Sequence, residues 1–482
     1  ACSGERGSAG ERGPAGVPGT TSASDDVTPT ATLNLVTPRV GLVDRKLQVT
    51  LTIDQSTGLA LDPSSTVDFG EGVKVTGVKA SGPGLVVDLE IAPDAKLGAH
   101  DVTITAPGQN SIVGVHAFVV AVPLDLKVAG GKAEQGGLVR VDVSNRDRIW
   151  FDTERFTLFP LAAPGQATLL PLAHTGFTPT NGTVVLLGDP LAQAGPLGFL
   201  GVNDPEDPGS ASFLTEPDAV SVSGRTPTTL TPGSVDKTLA GELETGFYQA
   251  SLVPQNNEGM LAFVHAKVPD GSTMKPMILA YGEGGKVQDL LDQKQDDEGF
   301  PMFGIPATQA LVTLPVASTT KSYFVVVDAN LGHGPTTTYT LDYSTVRAQI
   351  VNEKPAPHES GANPQNVGSL PGTSVTVPGR IVRGELKAQG ESDVYLFSGL
   401  SANNPTDMEV SIVSDADVVV RVDHTPTFDS DDLVEITRGG KAGSGRTNGF
   451  VGTQRFIQVV AAPDGAKATG KYTLGIRRVP TN

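Results

Sequence analysis

From residue 31 onward, apolar residues recur at every second position in short runs. Leu47, Val49, Leu51 and Ile53 alternate with Gln48, Thr50 and Thr52, the spacing that puts apolar side chains on one face of a strand. Val67-Asp68-Phe69-Gly70 precedes Val73, Val75 and Val78, and further strands are expected from Leu85 to Ile91 and at Val102-Thr103-Ile104. Gly and Pro clusters interrupt these runs at roughly ten-residue spacing, as in sandwich proteins. Leu124, Leu126 and Val128 alternate, as do Val139, Val141 and Val143. The pattern predicts an all-β chain of tandem β-sandwiches.

The C-terminal half contains a divergent internal repeat. One copy carries Leu239-Ala240-Gly241-Glu242-Leu243, then Phe247-Tyr248-Gln249-Ala250, and ends with Ser322 to Val327 and Tyr339-Thr340-Leu341-Asp342-Tyr343. The other carries Ile381-Val382-Arg383-Gly384-Glu385-Leu386, then Asp393-Val394-Tyr395-Leu396-Phe397, and ends with Arg455 to Val460 and Tyr472-Thr473-Leu474-Gly475-Ile476. This repeat resembles the bacterial pre-peptidase C-terminal (PPC) domain, with its "G-x-L…D-x-Y-x-F" opening and "Y-x-L-x-V" final strand. The resemblance implies jelly-roll-like sandwiches. It is closer for 376–480 than for 223–345, where Phe247 follows Gly246 and the usual Asp is missing. Near the N-terminus, Asp68-Phe69-Gly70-Glu71-Gly72-Val73 and the later Gly98-Ala99-His100-Asp101-Val102-Thr103-Ile104 resemble the IPT/TIG kind of bacterial immunoglobulin-like domain. The expected division is a tether at 1–30 and an immunoglobulin-like sandwich at 31–122. A second such sandwich follows at 123–222 and a divergent PPC-like sandwich at 223–345. A linker at 346–375, marked by Pro355, Pro357, Pro364 and Pro371, leads to a PPC-like sandwich at 376–482.

Composition narrows the class. The 482 residues include 57 Gly and 36 Pro, below the ~25–30% share that marks wholesale low complexity. The net charge is −18, which repels polyphosphate, so nucleic acid is not an expected partner. Aromatics are scarce and Trp150 is the single tryptophan, which argues against a broad stacking platform for bases or sugars. Cys2 is the only cysteine, so neither an intrachain disulfide nor a cysteine zinc site can form. Avoidance of cysteine fits bacterial export. No apolar run approaches the ~18 residues of a membrane-spanning helix, and no signal peptide is seen; the start reads as lying after where one would end.

Ala1-Cys2-Ser3 resembles a bacterial lipobox, in which the leader is cut before the cysteine and the thiol then carries diacylglycerol. On that reading Cys2 is lipidated, Ala1 is the last leader residue, and Ser3 points to the outer membrane. The other reading is an incidental free cysteine. Gly4, Gly7, Gly10, Gly13, Gly16 and Gly19 follow at a strict three-residue period. This is collagen-like patterning, which serves either as a short triplet segment or as a flexible spacer.

Catalytic motifs are sparse. The seven histidines are scattered, and neither Gly-x-Ser-x-Gly nor HExxH occurs. His265, in an apolar strand, reads as a hydrogen-bonded core or strand-face residue. Calcium is the one credible ion, because it takes hard oxygen ligands. Candidate loops hold Asp204, Glu206 and Asp207; Asp296, Asp297 and Glu298; and Asp423, Asp429, Asp431 and Asp432. The last group lies in the PPC-like region, and some PPC relatives bind calcium; the other reading is solvated loop charge. The expected function is a non-catalytic, lipid-anchored cell-surface protein for binding, adhesion or envelope assembly. It would be held at the membrane by its lipid and would meet a protein or glycan ligand. PPC domains usually accompany secreted hydrolases, so the alternative is an accessory substrate-binding subunit of such a system.

Overall fold

The computed structural model describes residues 33–53, 63–82, 84–107, 111–145, 151–162, 168–175, 177–207, 209–241, 243–255, 258–282, 291–292, 308–329, 337–355, 360, 362–370, 379–398, 408–428, 434–447, 454–463, 465 and 467–478. No described residue is helical, and the chain is all-β, as its period-two pattern requires. It divides into two compact units, Ala1–Val122 with Glu206–Ser212, and Pro123–Pro205 with Phe213–Asn482.

In the first unit, alternation along Arg45–Ile53 sends Val49 and Leu51 fully into the core. That strand lies between Leu33–Thr37 and Gly84–Ile91, and Val73–Ser81 completes an antiparallel sheet. The second layer pairs Thr66–Asp68 with Gly98–Thr105, which pairs with Ile112 onward; Val40–Leu42 adds in parallel at Val119–Ala121. Phe69 and Phe118 meet edge to face between the layers, with ring centroids 5.1 Å apart. The Asp68-Phe69-Gly70-Glu71-Gly72 stretch is a tight turn. Asp68 Oδ1 accepts from Gly70 N at 2.9 Å, and Gly70 and Gly72 have φ of 84° and 81°, a region that L side chains rarely enter.

The second unit begins within the same long strand, Ile112–Gly131. Leu124–Gly131 pairs with Leu138–Asn145, then Asn181–Gly188, then Leu169–Thr175, all antiparallel. Thr157–Leu161 and Val220–Val222 both pair with Gly195–Val202. Phe151, Phe156, Phe177 and Phe213 form one aromatic cluster beside these strands.

Next along the chain, one sheet holds Gly246–Leu252, Thr320–Asp328 and Pro276–Gly282. The other holds Gly233–Leu239, Thr337–Asn352, Gly259–Lys267 and Gln309–Val316. Tyr248, Phe324, Val264 and Leu341 help fill the space between. The last core packs Tyr395, Phe397, Val410, Ile412, Val420, Ile457 and Leu474. Here Met408–Asp423 pairs with Gly470–Arg478 through Ser414 and with Arg455–Ala461 from Val418, so one strand serves both partners.

The stretch 346–375, read from its prolines as a linker, carries strand at both ends. Residues 346–352 continue Thr337–Asn352, and Ala348–Asn352 pairs in parallel with Gly379–Arg383. Gln365–Ser369 pairs in parallel with Ser392–Ser398. Apolar Val346 and Ile350 pack against Leu261, Phe263 and Ile381, and this burial keeps the segment in the sheet despite the prolines that follow.

Candidate functional site

Among the described residues, buried tyrosine hydroxyls meet at equivalent places in the two repeat copies. In the C-terminal copy, strand Ser392–Ser398 presents Asp393 and Tyr395 inward, and Gly470–Arg478 presents Tyr472. Tyr472 Oη donates to Asp393 Oδ2 at 2.6 Å, and the hydroxyls of Tyr395 and Tyr472 are hydrogen-bonded to each other. With the Tyr472 proton committed to the carboxylate, Tyr395 is the donor of that second bond. Asp393 and Tyr395 are both completely buried. Burial, the adjoining Tyr395 and the Asp393 charge push the Tyr472 hydroxyl far above its ordinary range. Burial and Asp393 do the same to Tyr395.

The upstream copy repeats the pair without the acid. Tyr248 and Tyr339 share a hydroxyl–hydroxyl bond, and burial raises both. Gly246 occupies the position of Asp393, two residues before the first tyrosine. A Cβ at Gly246 would collide with the Tyr339 hydroxyl, so the missing acid leaves the space that Tyr339 fills. In each copy a glutamate four residues before the first tyrosine caps a strand end: Glu244 accepts from Ala240 N, and Glu391 accepts from Lys387 N and Ala388 N.

These contacts fix the register of the repeat. Leu239 corresponds to Leu386 and Lys237 to Gly384, because Lys237 pairs with Tyr339 as Gly384 pairs with Tyr472. Aligning the Gly-Glu-Leu triplets at 241–243 and 384–386 is therefore off by four residues. Triplet similarity misleads there because the contact shared by the two copies is made by side chains from distant strands.

The sequence-predicted site residues fall elsewhere. Asp423 is completely buried at the end of Met408–Asp423. Its Oδ1 accepts from His424 N at 2.6 Å and Thr425 N at 3.1 Å, with His424 Nδ1 3.3 Å away. It thus ties down the first residues of its own turn. Asp429, Asp431 and Asp432 lie outside the described residues, as do Cys2 and Asp296, Asp297 and Glu298. Asp204 pairs with Arg155 at 2.6 Å, and Asp207 Oδ1 caps Gly209 N. Among the described residues, no group of three or more His, Cys, Asp or Glu is placed to hold a metal ion. His265 Nε2 lies 2.9 Å from Gln309 Oε1, and its other side faces Asp342. Burial pushes the Asp342 carboxyl up, but hydrogen bonds from Ser234 and Lys267 outweigh it and hold the group below the usual carboxylate range. His100 is buried with its ring nitrogens 2.9 Å from Phe69 O and 2.7 Å from Lys96 O, stapling two turns.

The tyrosine pairs escaped sequence reading as a site. Their signals were the Phe247-Tyr248 and Asp393-Val394-Tyr395 openings and the repeated Tyr-Thr-Leu strand, Tyr339-Thr340-Leu341 and Tyr472-Thr473-Leu474.

Residues 31–116 match the family described as quinohemoprotein amine dehydrogenase, alpha subunit domain III. No curated protein matches the chain. Among solved structures, the chain is similar to the FdeC adhesin of Escherichia coli, with 11% identity and a TM-score of 0.18, covering 62% of this chain and 89% of that one. It is also similar to a Bacteroides ovatus protein, SGBP-B of a mixed-linkage glucan utilization locus, solved in complex with a mixed-linkage heptasaccharide. That match has 13% identity and a TM-score of 0.16, covering 63% and 73% of the two chains. A third is the adhesin InvE of Yersinia pseudotuberculosis, at 18% identity and a TM-score of 0.15, covering 39% and 59%.

Proposed function

We propose that this chain is a non-catalytic surface protein, tethered through a lipid on Cys2, whose serial β-sandwiches hold variable loops out for binding, adhesion or envelope assembly. The observation that carries this reading is where the distinctive polar groups lie. Tyr395, Tyr472, Asp393 and Arg455 are each at most 3% exposed. Groups sealed in that way serve the fold, and recognition is left to loops on the sandwich ends. The two C-terminal copies are read as PPC-like modules and the first sandwich as IPT/TIG-like. The location proposed is the bacterial outer membrane or cell surface.

A protein partner is favoured over an extended glycan. Among the described residues, Phe159 is the one aromatic side chain counted among the exposed large hydrophobics, at 40%, and sugar platforms rest on open aromatic faces. The accessory-subunit alternative predicts retention of polysaccharide on a glycan array, whereas the preferred reading predicts capture of an envelope protein. The anchor is tested by fractionating cells that make the chain with its export leader. Wild-type protein is expected in the detergent phase of the membrane fraction and Cys2→Ser in the soluble phase. Soluble wild-type protein would refute the anchor.

A further inference from the structure

The second compact unit contains two junctions between successive sandwiches, and both are closed by contacts of the kind found inside a domain. At the first, Arg225 reaches both sides. Its Nη1 donates to Thr245 Oγ1 at 2.7 Å and lies 3.4 Å from Gly136 O; its Nη2 donates to Thr245 O at 2.9 Å. Its Nε lies 3.7 Å from Glu134 Oε1, and its backbone N donates to Gln135 Oε1 at 3.3 Å. Buried Thr245 then donates its hydroxyl to Gly136 O at 2.5 Å. Beneath this clamp, Leu138, Val185 and Leu187 from the earlier strands pack on Phe247, Leu279, Tyr281, Val325 and Val327. Gly136 makes the approach possible, because a Cβ there would lie 2.6 Å from the Phe247 ring.

At the second junction the backbone itself is continuous. Ala348–Asn352 and Gly379–Arg383 form a parallel ladder, so the sheets of the two repeat copies are one sheet. Leu261, Phe263, Leu311, Ala348 and Ile381 pack together over it. The Arg477 guanidinium sits 3.4 Å from the Phe263 ring centroid while its Nε donates to Glu409 at 2.5 Å. Arg383 Nη2 donates to Ala317 O at 2.7 Å. Gly475 leaves room where Leu261 and Pro315 approach; a Cβ there would lie 2.6 and 2.8 Å from them. Domains joined by flexible linkers keep small, more polar contacts and move relative to one another. Neither junction has that character.

We infer that residues 123–478 act as one stiff spacer, in which the Arg225 clamp and the shared sheet suppress hinge motion between the sandwiches. The purpose assigned to the spacer rests on the surface-display reading; its mechanics do not. The full chain offers two separate optical probes. Trp150 is the single tryptophan, and all seven tyrosines lie between Tyr248 and Tyr472. In urea, the Trp and Tyr transitions of wild-type protein are expected to coincide, as a cooperative unit requires. Arg225→Ala is expected to lower the Trp midpoint and separate it from the Tyr midpoint. For the second junction, Phe263→Ala is expected to make amides of Arg455–Ala461 exchange faster than those of Thr320–Asp328, whereas in wild type they exchange alike. Separate Trp and Tyr midpoints in wild type would overturn the inference, as would coincident transitions in Arg225→Ala or unchanged exchange in Phe263→Ala. Loss of the Cys2 anchor leaves all three readouts unmoved, so failure of the display reading is distinguishable from failure of this one.

Discussion

Asp393 is a completely buried carboxylate, and the Tyr472 hydroxyl is one of the groups that make it tolerable there. Tyr472→Phe keeps the ring in the core and removes one donor to the acid. A lost hydrogen bond to a buried charged group costs about 1.5–3 kcal/mol, and a drop of that size is expected in the urea stability of the protein. Tyr339→Phe, where no acid is present, should cost about 1 kcal/mol; equal losses in the two variants would contradict this account. The same tyrosines set a pH limit. Burial raises Tyr248, Tyr339, Tyr343, Tyr395 and Tyr472, while in the unfolded chain they ionise at about pH 10. The folded state therefore holds its tyrosine protons more tightly. This contribution is complete below about pH 10 and is lost as pH rises toward the folded values. The urea midpoint should fall steeply above that pH, with the phenolate absorbance of these five tyrosines appearing only as the protein unfolds. Ionisation of these five in the folded protein, followed by replacing each with Phe, would contradict their burial.

Strands and turns differ in how much of them was legible. The alternation of Leu47, Val49, Leu51 and Ile53 matched a real strand, because one face of it is buried. The Asp68–Gly72 motif was visible, but its reason is conformational. Gly72 has φ of 81°, and a Cβ there would lie 2.5 Å from Ala95 Cα. Gly72→Ala is expected to destabilise the first unit by about 1–3 kcal/mol, through strain at positive φ and collision with backbone; calorimetry of the full chain would measure it. The segment 346–352 reads as linker because of the prolines that follow it, Pro355, Pro357, Pro364 and Pro371, and only the burial of Val346 and Ile350 against Leu261 and Phe263 shows a strand. The loop after Asp423 remains a calcium proposal. If Asp429, Asp431 and Asp432 gather around one ion, binding to the folded state alone raises the melting temperature. Millimolar calcium should then raise the melting transition relative to chelator, and Asp431→Asn should reduce the shift. Superimposable curves would mark the loop as solvated charge.

At the scale of the whole molecule, strand content is the most direct expectation. Among the described residues none is helical, so far-UV circular dichroism should show a strand spectrum with no helical minima. A helical share near the roughly one-third of ordinary globular proteins would be incompatible with this architecture. The chain carries a net charge of −18, which opposes self-association and nucleic-acid binding alike. Its exposed large hydrophobics include Phe159 and Leu161, both on strand Thr157–Leu161.

Period-two alternation and Gly/Pro punctuation by themselves determined the all-β class, because a strand with one buried face must alternate wherever it occurs. The repeated Tyr-Thr-Leu strands likewise announced a duplicated module. Tertiary structure alone decided what those tyrosines do, since the Tyr395–Tyr472 contact spans 77 residues and no local pattern encodes a partner at that distance. It alone set the register of the repeat, through Lys237 opposite Tyr339 and Gly384 opposite Tyr472. It also decided that Arg225 joins two sandwiches. In sequence Arg225 is one arginine in a polar stretch, and its meaning comes from Gly136 and Thr245, which only folding brings within reach.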